Sequence, residues 1–382
     1  MSRNLYGAVA TMVGYIIGAG MLSIPFTVAR SGFVIGMMTI IGLGLCVLFL
    51  NLFLGEICLR TKGKHQLTGL AEKYLGQTGK WLMTKVMIFG VYGALVAYIL
   101  KEGQFLQALF SPLFGGSQLL YSLIFFAIVS YLIFKGLDAI EEGEVIFVSA
   151  LFLIISILLI ISYKSISFEN LTAFNPGMFL VPFGAVLFAF NGSGSIPEIV
   201  VELRKNKKLI RKAIIIGSII PIFIYIIFTA LVVGVTGADT TDGAILGVAE
   251  KVGGYVLISG ILLGIIVLAT SFMAVGLSFK EMLMFDFRLR PYLASTITCF
   301  GALALTLLVI FIGIENAFYK VINITGSIEV PLAAILIILM LRKAKEKGDR
   351  KPEFVNKNTA IISIIITAVF LLGFINQILT WF

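Results

Sequence analysis

Gly18-Ala19-Gly20-Met21-Leu22-Ser23-Ile24-Pro25 and Gly192-Ser193-Gly194-Ser195-Ile196-Pro197 decide how this chain folds. Each stretch lies inside an apolar segment long enough to cross a bilayer. Each sets two glycines and a proline where an unbroken helix favours neither. In lipid every backbone N–H and C=O needs a partner, so a helix break is tolerated only where protein buries it or where it lines a cavity. Glycines in membrane helices also serve close helix packing. Two matched breaks in two halves of one chain point instead to a binding site near the membrane midplane.

Composition extends this reading to the whole chain. Of 382 residues, 59% are hydrophobic and 13% charged, more apolar surface than a soluble protein of this size can hide. Roughly 20 mostly apolar residues make one span. On that rule eleven transmembrane helices are expected, at about 6–30, 33–58, 82–110, 117–134, 144–163, 177–200, 211–235, 253–279, 291–312, 318–341 and 359–380. The first run, following Arg3, superficially resembles a signal peptide. It carries the first break and ten spans follow it, so it is expected to remain as a helix. The longest inner connectors are 59–81 and 342–358. Within the first, Leu67 to Gly76 reads as a short amphipathic surface helix stopped at the glycine.

The formal net charge of +9 follows from topology. With the N-terminus inside, only Arg30, Lys101, Lys164, Lys251 and Lys320 of the 29 lysines and arginines fall outside the inner segments. The positive-inside rule then sets the N-terminus cytoplasmic and the C-terminus outside, in an integral protein of the cell (plasma) membrane. Anionic inner-leaflet lipid is the expected partner of the basic connectors. No nucleic-acid partner is expected, because no basic patch stands on a soluble domain. The two breaks head spans one and six, which run in opposite directions. Spans one to five (about 6–163) and six to ten (about 177–341) thus form a five-plus-five inverted repeat, with an extra helix at about 359–380. The fold class is an all-α membrane protein, one transmembrane domain over 1–382, with helices 1 and 6 broken.

Catalysis is not expected. Cys46, Cys58 and Cys299 are dispersed in apolar runs and His65 is the sole histidine, which leaves no triad, zinc cluster or disulfide framework. The breaks carry other chemistry. With helix 1a ending near Ile17 and helix 1b starting near Met21, the freed amides of Gly18, Ala19, Gly20 and Met21 favour a carboxylate. The carbonyl end of helix 6a, with Phe188, Phe190, Asn191, Gly192 and Ser193, favours a cation. A carboxylate at one break and an ammonium at the other describe a zwitterionic amino acid. Charges inside spans are functional candidates by default. Lys101 and Glu102 lie in the outer part of span three, where both are expected near the outer interface or partnered by other helices, with Glu102 a candidate proton carrier as the alternative. Glu56 is expected to snorkel or pair with a loop lysine, and Glu198 and Glu202 to hold interfacial charge or an inner-gate ion pair. Tyr98 is a candidate pocket aromatic. Asn323, Thr325 and Ser327 suit either a pathway or a helix–helix contact.

The same residues carry a family resemblance. Gly14-Tyr15-Ile16-Ile17-Gly18-Ala19-Gly20-Met21-Leu22-Ser23-Ile24-Pro25-Phe26 resembles the first helix of the amino acid/auxin permease group within the amino acid–polyamine–organocation superfamily. Phe188 to Glu198, followed by Lys207 to Pro221, is similar to the tyrosine and tryptophan permeases. Those permeases typically carry a histidine in the sixth-span motif; here the local residues are Asn191 and Ser193. The resemblance implies a leucine-transporter-like fold and symport of an amino acid with Na+ or H+ by alternating access, with no other cofactor. It implies a Na+ site made of the carbonyls of Gly14, Ile17 and Val267 and the hydroxyls of Thr270 and Ser271. Some proton-driven relatives replace that ion with a lysine in span five, which has none here before Lys164. An amino acid sensor or exchanger on the same fold is the alternative, with a channel further off because no selectivity filter or charged ring is visible. The oligomeric state is left open.

Overall fold

The computed structural model describes residues 3–136 and 140–379, with side chains over 5–136 and 149–379. Every regular element among the described residues is helical. Helices α1 (Arg3–Ile16) and α2 (Ala19–Ser31) meet at a 52° bend. Gly32, at φ 86°, turns the chain into α3 (Phe33–Arg60). The next helical run, α4 (Leu67–Phe114), is bent at Gly76, whose φ of 73° only glycine takes readily. The expected surface helix thus ends at Gly76, but no separate loop follows it to residue 81. The chain re-enters helix at once and continues into the span.

Helices α5 (Gln118–Lys135) and α6 (Ile140–Ser162) come next. Asn191–Gly194 separates α7 (Phe183–Phe190) from α8 (Ser195–Glu202). The chain continues through α9 (Ile210–Thr236), the short α10 (Ile245–Val252), α11 (Gly254–Phe285), α12 (Pro291–Ile312), α13 (Ala317–Lys347) and α14 (Thr359–Leu379). Among the described residues nine helical runs are long and apolar enough to cross a membrane, ten when the bent pair counts as one. The expected span 144–163 falls on α6. Its side chains before 149 lie outside the described residues, as does residue 380 of the last span.

Packing separates an inner core from a lipid face. α13 lies along α4 and α7, and α9 lies along α1 and α3. Met12, Phe53, Phe190, Tyr225, Phe272 and Phe318 are fully buried among them. α14 is peripheral and buries only Ile366, Phe370 and Gly373. It is tied to α13 where Gln377 Oε1 accepts from Asn323 Nδ2 at 2.9 Å and from Ser327 Oγ at 3.2 Å. Asn323 and Ser327 therefore make a helix–helix contact. Large apolar side chains such as Leu113 and Phe311 point outward, as lipid allows and water would penalise.

The connectors are fastened by carboxylates. Asp286 accepts from the Gln66 and Gly69 amides, at 3.4 and 2.8 Å, and from the Thr68 hydroxyl. It satisfies the orphan donors at the start of α4 and complements the helix dipole there. Glu56 is fully buried and pairs with Arg60 at 2.8 Å, one turn along α3; it also accepts from the amide and side chain of Asn356 at 2.8 and 2.9 Å. Its partner is not the expected loop lysine, because Arg60 already stands on the same face at i+4.

Candidate functional site

The two breaks face one another. A Cβ built on Gly20 would sit 2.4 Å from Ala189 Cα in α7, and one on Gly192 would sit 2.6 Å from Ile16 Cγ1 in α1. Glycine is required at Gly20 because its neighbour is backbone, whereas at Gly192 the neighbour is the Ile16 side chain. Tyr225 of α9, fully buried, lies behind both. Its hydroxyl is 2.9 Å from the Ile16 carbonyl, which ends α1, and 2.8 Å from the Ala189 carbonyl near the end of α7. Its ring packs on Phe190 at 5.0 Å.

A small central cavity of about 30 Å³ opens between the breaks. Tyr15, Gly18 and Gly20 line it from the first broken segment; Phe188, Asn191 and Ser193 from the second; Tyr98 from α4; and Glu329 from α13. A space of this size holds no more than a water or two, whereas small-molecule sites run to about 300 Å³ and above. A molecule of amino-acid size fits only when the walls part.

Five residues expected at the site, Gly18, Gly20, Phe188, Asn191 and Ser193, do line this cavity, while Ala19, Met21, Phe190 and Gly192 lie behind its wall. α2 restarts at Ala19, two residues before the expected position. The Met21 amide already donates to Gly18 O at 3.1 Å, closing the first turn. The amides of Ala19 and Gly20 are the ones left over at the new helix start. At the second break the Gly192 carbonyl is taken by the Ser195 hydroxyl at 2.8 Å. The expected ion ligands are partly brought together. Ser271 Oγ donates to the Ile17 carbonyl at 3.2 Å across the α11–α1 contact. Thr270 is half-buried, and its hydroxyl points back along α11, to Ile266 O at 2.8 Å and Val267 O at 3.1 Å. Beside Gly14, a Cβ would meet nothing within 4 Å.

Two polar features were not foreseen. Glu329, 4% exposed, brings a carboxyl into the central cavity; Asn191 Nδ2 donates to its Oε1 at 2.8 Å. Asn191 Oδ1 in turn accepts from Ser193 Oγ at 3.0 Å, so a chain of hydrogen bonds runs from α13 into the second break. An acidic residue inside the expected span 318–341 was the available signal. The second feature involves Lys101, whose side chain is fully buried. It pairs with Asp242 in the α9–α10 connector at 3.2 Å, donates to Gln104 Oε1 at 2.8 Å, and lies 4.7 Å over the Phe318 ring. Glu102 beside it is equally buried, and its Oε2 has no hydrogen-bond partner among the described residues. At the end of the molecule that carries the basic connector 59–66, a vestibule of about 530 Å³ is lined by Thr11, His65, Glu198, Glu202 and Glu281. There Thr11 Oγ1 donates to Glu202 Oε1 at 2.9 Å.

Residues 1–376 match the model of the tryptophan/tyrosine permease family. The chain belongs to that family. The permease is 28% identical over 290 residues to the tyrosine-specific transport system 1 of Haemophilus influenzae, covering 72% of each chain. It is 25% identical over 240 residues to the glutamine transporter 2 of Aliivibrio fischeri, covering 61% of the permease and 62% of that relative. Among solved structures its fold resembles MhsT in complex with L-phenylalanine (TM-score 0.75, 13% identity, 100% of the permease and 99% of that chain). It also resembles Mhp1, a nucleobase-cation-symport-1 family transporter in a closed conformation (TM-score 0.68, 16% identity, 97% and 88%). The permease is thus an integral membrane transporter of the amino acid permease type with a leucine-transporter-like fold, and not an enzyme.

Proposed function

We propose that the permease is a secondary active symporter that moves a zwitterionic neutral amino acid with Na+ or H+ by alternating access, with tyrosine, tryptophan and glutamine as the first candidates. The observation that carries this is the meeting of two helix interruptions at one cavity. Amides at the start of α2 suit the carboxylate, and carbonyls at the end of α7 suit the ammonium. Eleven spans in a five-plus-five inverted repeat, with α6 as the fifth, are the architecture we infer. With the basic connectors cytoplasmic, the 530 Å³ vestibule opens inward. The Lys101–Asp242 pair then sits on the outer side.

For the ion, the Ser271–Ile17 contact supports Na+ at the α1–α11 junction, with the Gly14 and Val267 carbonyls and the Thr270 hydroxyl as the remaining ligands we propose. The buried acids Glu102 and Glu329 support H+ instead. Uptake of labelled amino acids into proteoliposomes under an imposed Na+ or pH gradient separates these. Failure of every amino acid to bind or be taken up refutes the transporter function. Uptake driven by a pH gradient alone, undiminished in Thr270→Ala and Ser271→Ala, refutes only the Na+ site.

A further inference from the structure

The central cavity has two poles. At one, a Cβ on Gly18 would sit 2.7 Å from Ser271 Oγ and 3.1 Å from the Tyr98 hydroxyl. At the other, a Cβ on Gly90 would sit 2.0 Å from the Glu329 carboxyl carbon. Tyr98 and Gly90 stand about two turns apart on α4, ~12 Å of helix rise. The first pole holds the helix start that suits a substrate carboxylate. Glu329 thus lies away from the helix start that suits the α-carboxylate, on the side of the cavity that Asn191 and Gly90 line. Gly90, lacking a side chain, makes the room that the Glu329 carboxyl occupies.

What the carboxyl offers there is an acceptor. Asn191 engages Oε1, and Oε2 accepts no hydrogen bond among the described residues. No lysine, arginine or histidine lines the cavity among the described residues, so no fixed cation claims the second oxygen. Facing the cavity, that oxygen is left unmatched only when a ligand covers it without donating, which is costly, so a ligand able to donate to it is favoured over one of the same shape that cannot. Tyrosine, tryptophan and glutamine differ in size and aromaticity, yet each side chain ends in or carries a neutral O–H or N–H donor.

Resting on the transporter function proposed above, we infer that Glu329 is the specificity-determining residue of the permease: its carboxyl accepts a hydrogen bond from a neutral donor on the substrate side chain, and it turns away side chains that are purely apolar or acidic. Apolar analogues leave the carboxyl unmatched. A side-chain carboxylate meets like charge or a competing acceptor, which is selection by repulsion as well as attraction. Sites built to bond a substrate hydroxyl or amide discriminate far more steeply than apolar pockets do. Because Asn191 already satisfies one oxygen, the expected preference is about 10- to 100-fold.

The test is competition against labelled uptake in proteoliposomes, with tyrosine against phenylalanine and glutamine against methionine and glutamate. The wild-type permease should favour the donor-bearing member of the pair it transports. Glu329→Leu should bring tyrosine and phenylalanine, or glutamine and methionine, to near parity. Glu329→Gln gives its one carbonyl oxygen to Asn191 and turns an NH2 toward the substrate, so it should lose the donor preference and narrow or reverse the gap between glutamine and glutamate. Absence of donor preference in the wild type overturns the inference, whatever the variants do. So does equal weakening of both pair members in Glu329→Leu, which would assign the carboxyl to the shared α-ammonium. An unchanged glutamine-to-glutamate ratio in Glu329→Gln overturns it too, and remains readable if Glu329→Leu does not fold. Failure of the wild type to take up any amino acid refutes the transporter function itself.

Discussion

Gly20→Ala is the sharpest perturbation of the proposed site, because the obstacle is backbone. The new methyl would lie 2.4 Å from Ala189 Cα, 2.5 Å from its Cβ and 2.9 Å from its amide nitrogen. Carbon–carbon contacts are comfortable at about 3.5–4.0 Å, so α2 and α7 must part by ~1 Å. No rotamer change relieves this, since the opposing atoms are fixed in helix. Overpacking of this kind costs about 1–3 kcal/mol, and the displaced parts are the two half-helix ends of the proposed site. Charged against the closed arrangement, that cost corresponds to a loss of about 5- to 150-fold in affinity. The assay is the half-saturating concentration of labelled amino acid uptake, with monodispersity on gel filtration as the folding control. Gly42→Ala is the matched reference: it lies in α3, its methyl meets nothing within 4 Å, and Gly→Ala inside a helix stabilises by about 0.5–1 kcal/mol. If Gly20→Ala transports as well as Gly42→Ala, the close approach of the two breaks is not part of the binding state.

Tyr225→Phe removes the donor shared by the Ile16 and Ala189 carbonyls and should destabilise the permease by about 1–3 kcal/mol; thermal unfolding in detergent reads it, and an unchanged curve contradicts the bridging role. Asp242→Asn leaves the buried Lys101 ammonium without its counter-charge and should cost roughly 3 kcal/mol, much of it restored by adding Lys101→Met; equal stability of the single variant and the parent would rule out a structural role for the pair. The Lys73 ammonium and the Lys62 amide hold the Asp349 carboxyl below the usual carboxylate range. The tie between the two inner connectors is therefore in place above the ordinary carboxylate pKa and is lost as pH falls through the lowered value. Relative to the intrinsic rate at each pH, amide exchange around Lys62 should rise in acid in the wild type and be already high, and independent of pH, in Asp349→Asn.

The all-helical membrane class was legible because lipid permits so few backbone solutions; eleven spans were expected, and nine or ten helical runs qualify among the described residues. The direction each side chain faces was not legible. Helices such as α9 and α13 are apolar nearly all round, so no stripe tells which side meets the core. Tyr225 and Glu329 were hidden for that reason, each needing a helix rotation that only the packing of α1, α4 and α7 supplies. Adjacent hydroxyls failed similarly: Thr270 and Ser271 read as one motif, yet one turns back into α11 and the other reaches Ile17. The Lys101–Asp242 contact joins a span to a distant connector, a pairing that no local spacing encodes. The Glu56–Arg60 pair was local, one turn along α3, and was open to reading.

Tyr225 carries one phenolic proton and stands within reach of two carbonyls. A hydroxyl donates once, so the two carbonyls compete for a single proton. One ends α1 in the first half of the chain and the other lies near the end of α7 in the second. A movement that parts the two half-helices must therefore leave that proton with one of them, and the two halves of the chain are coupled through a single side chain.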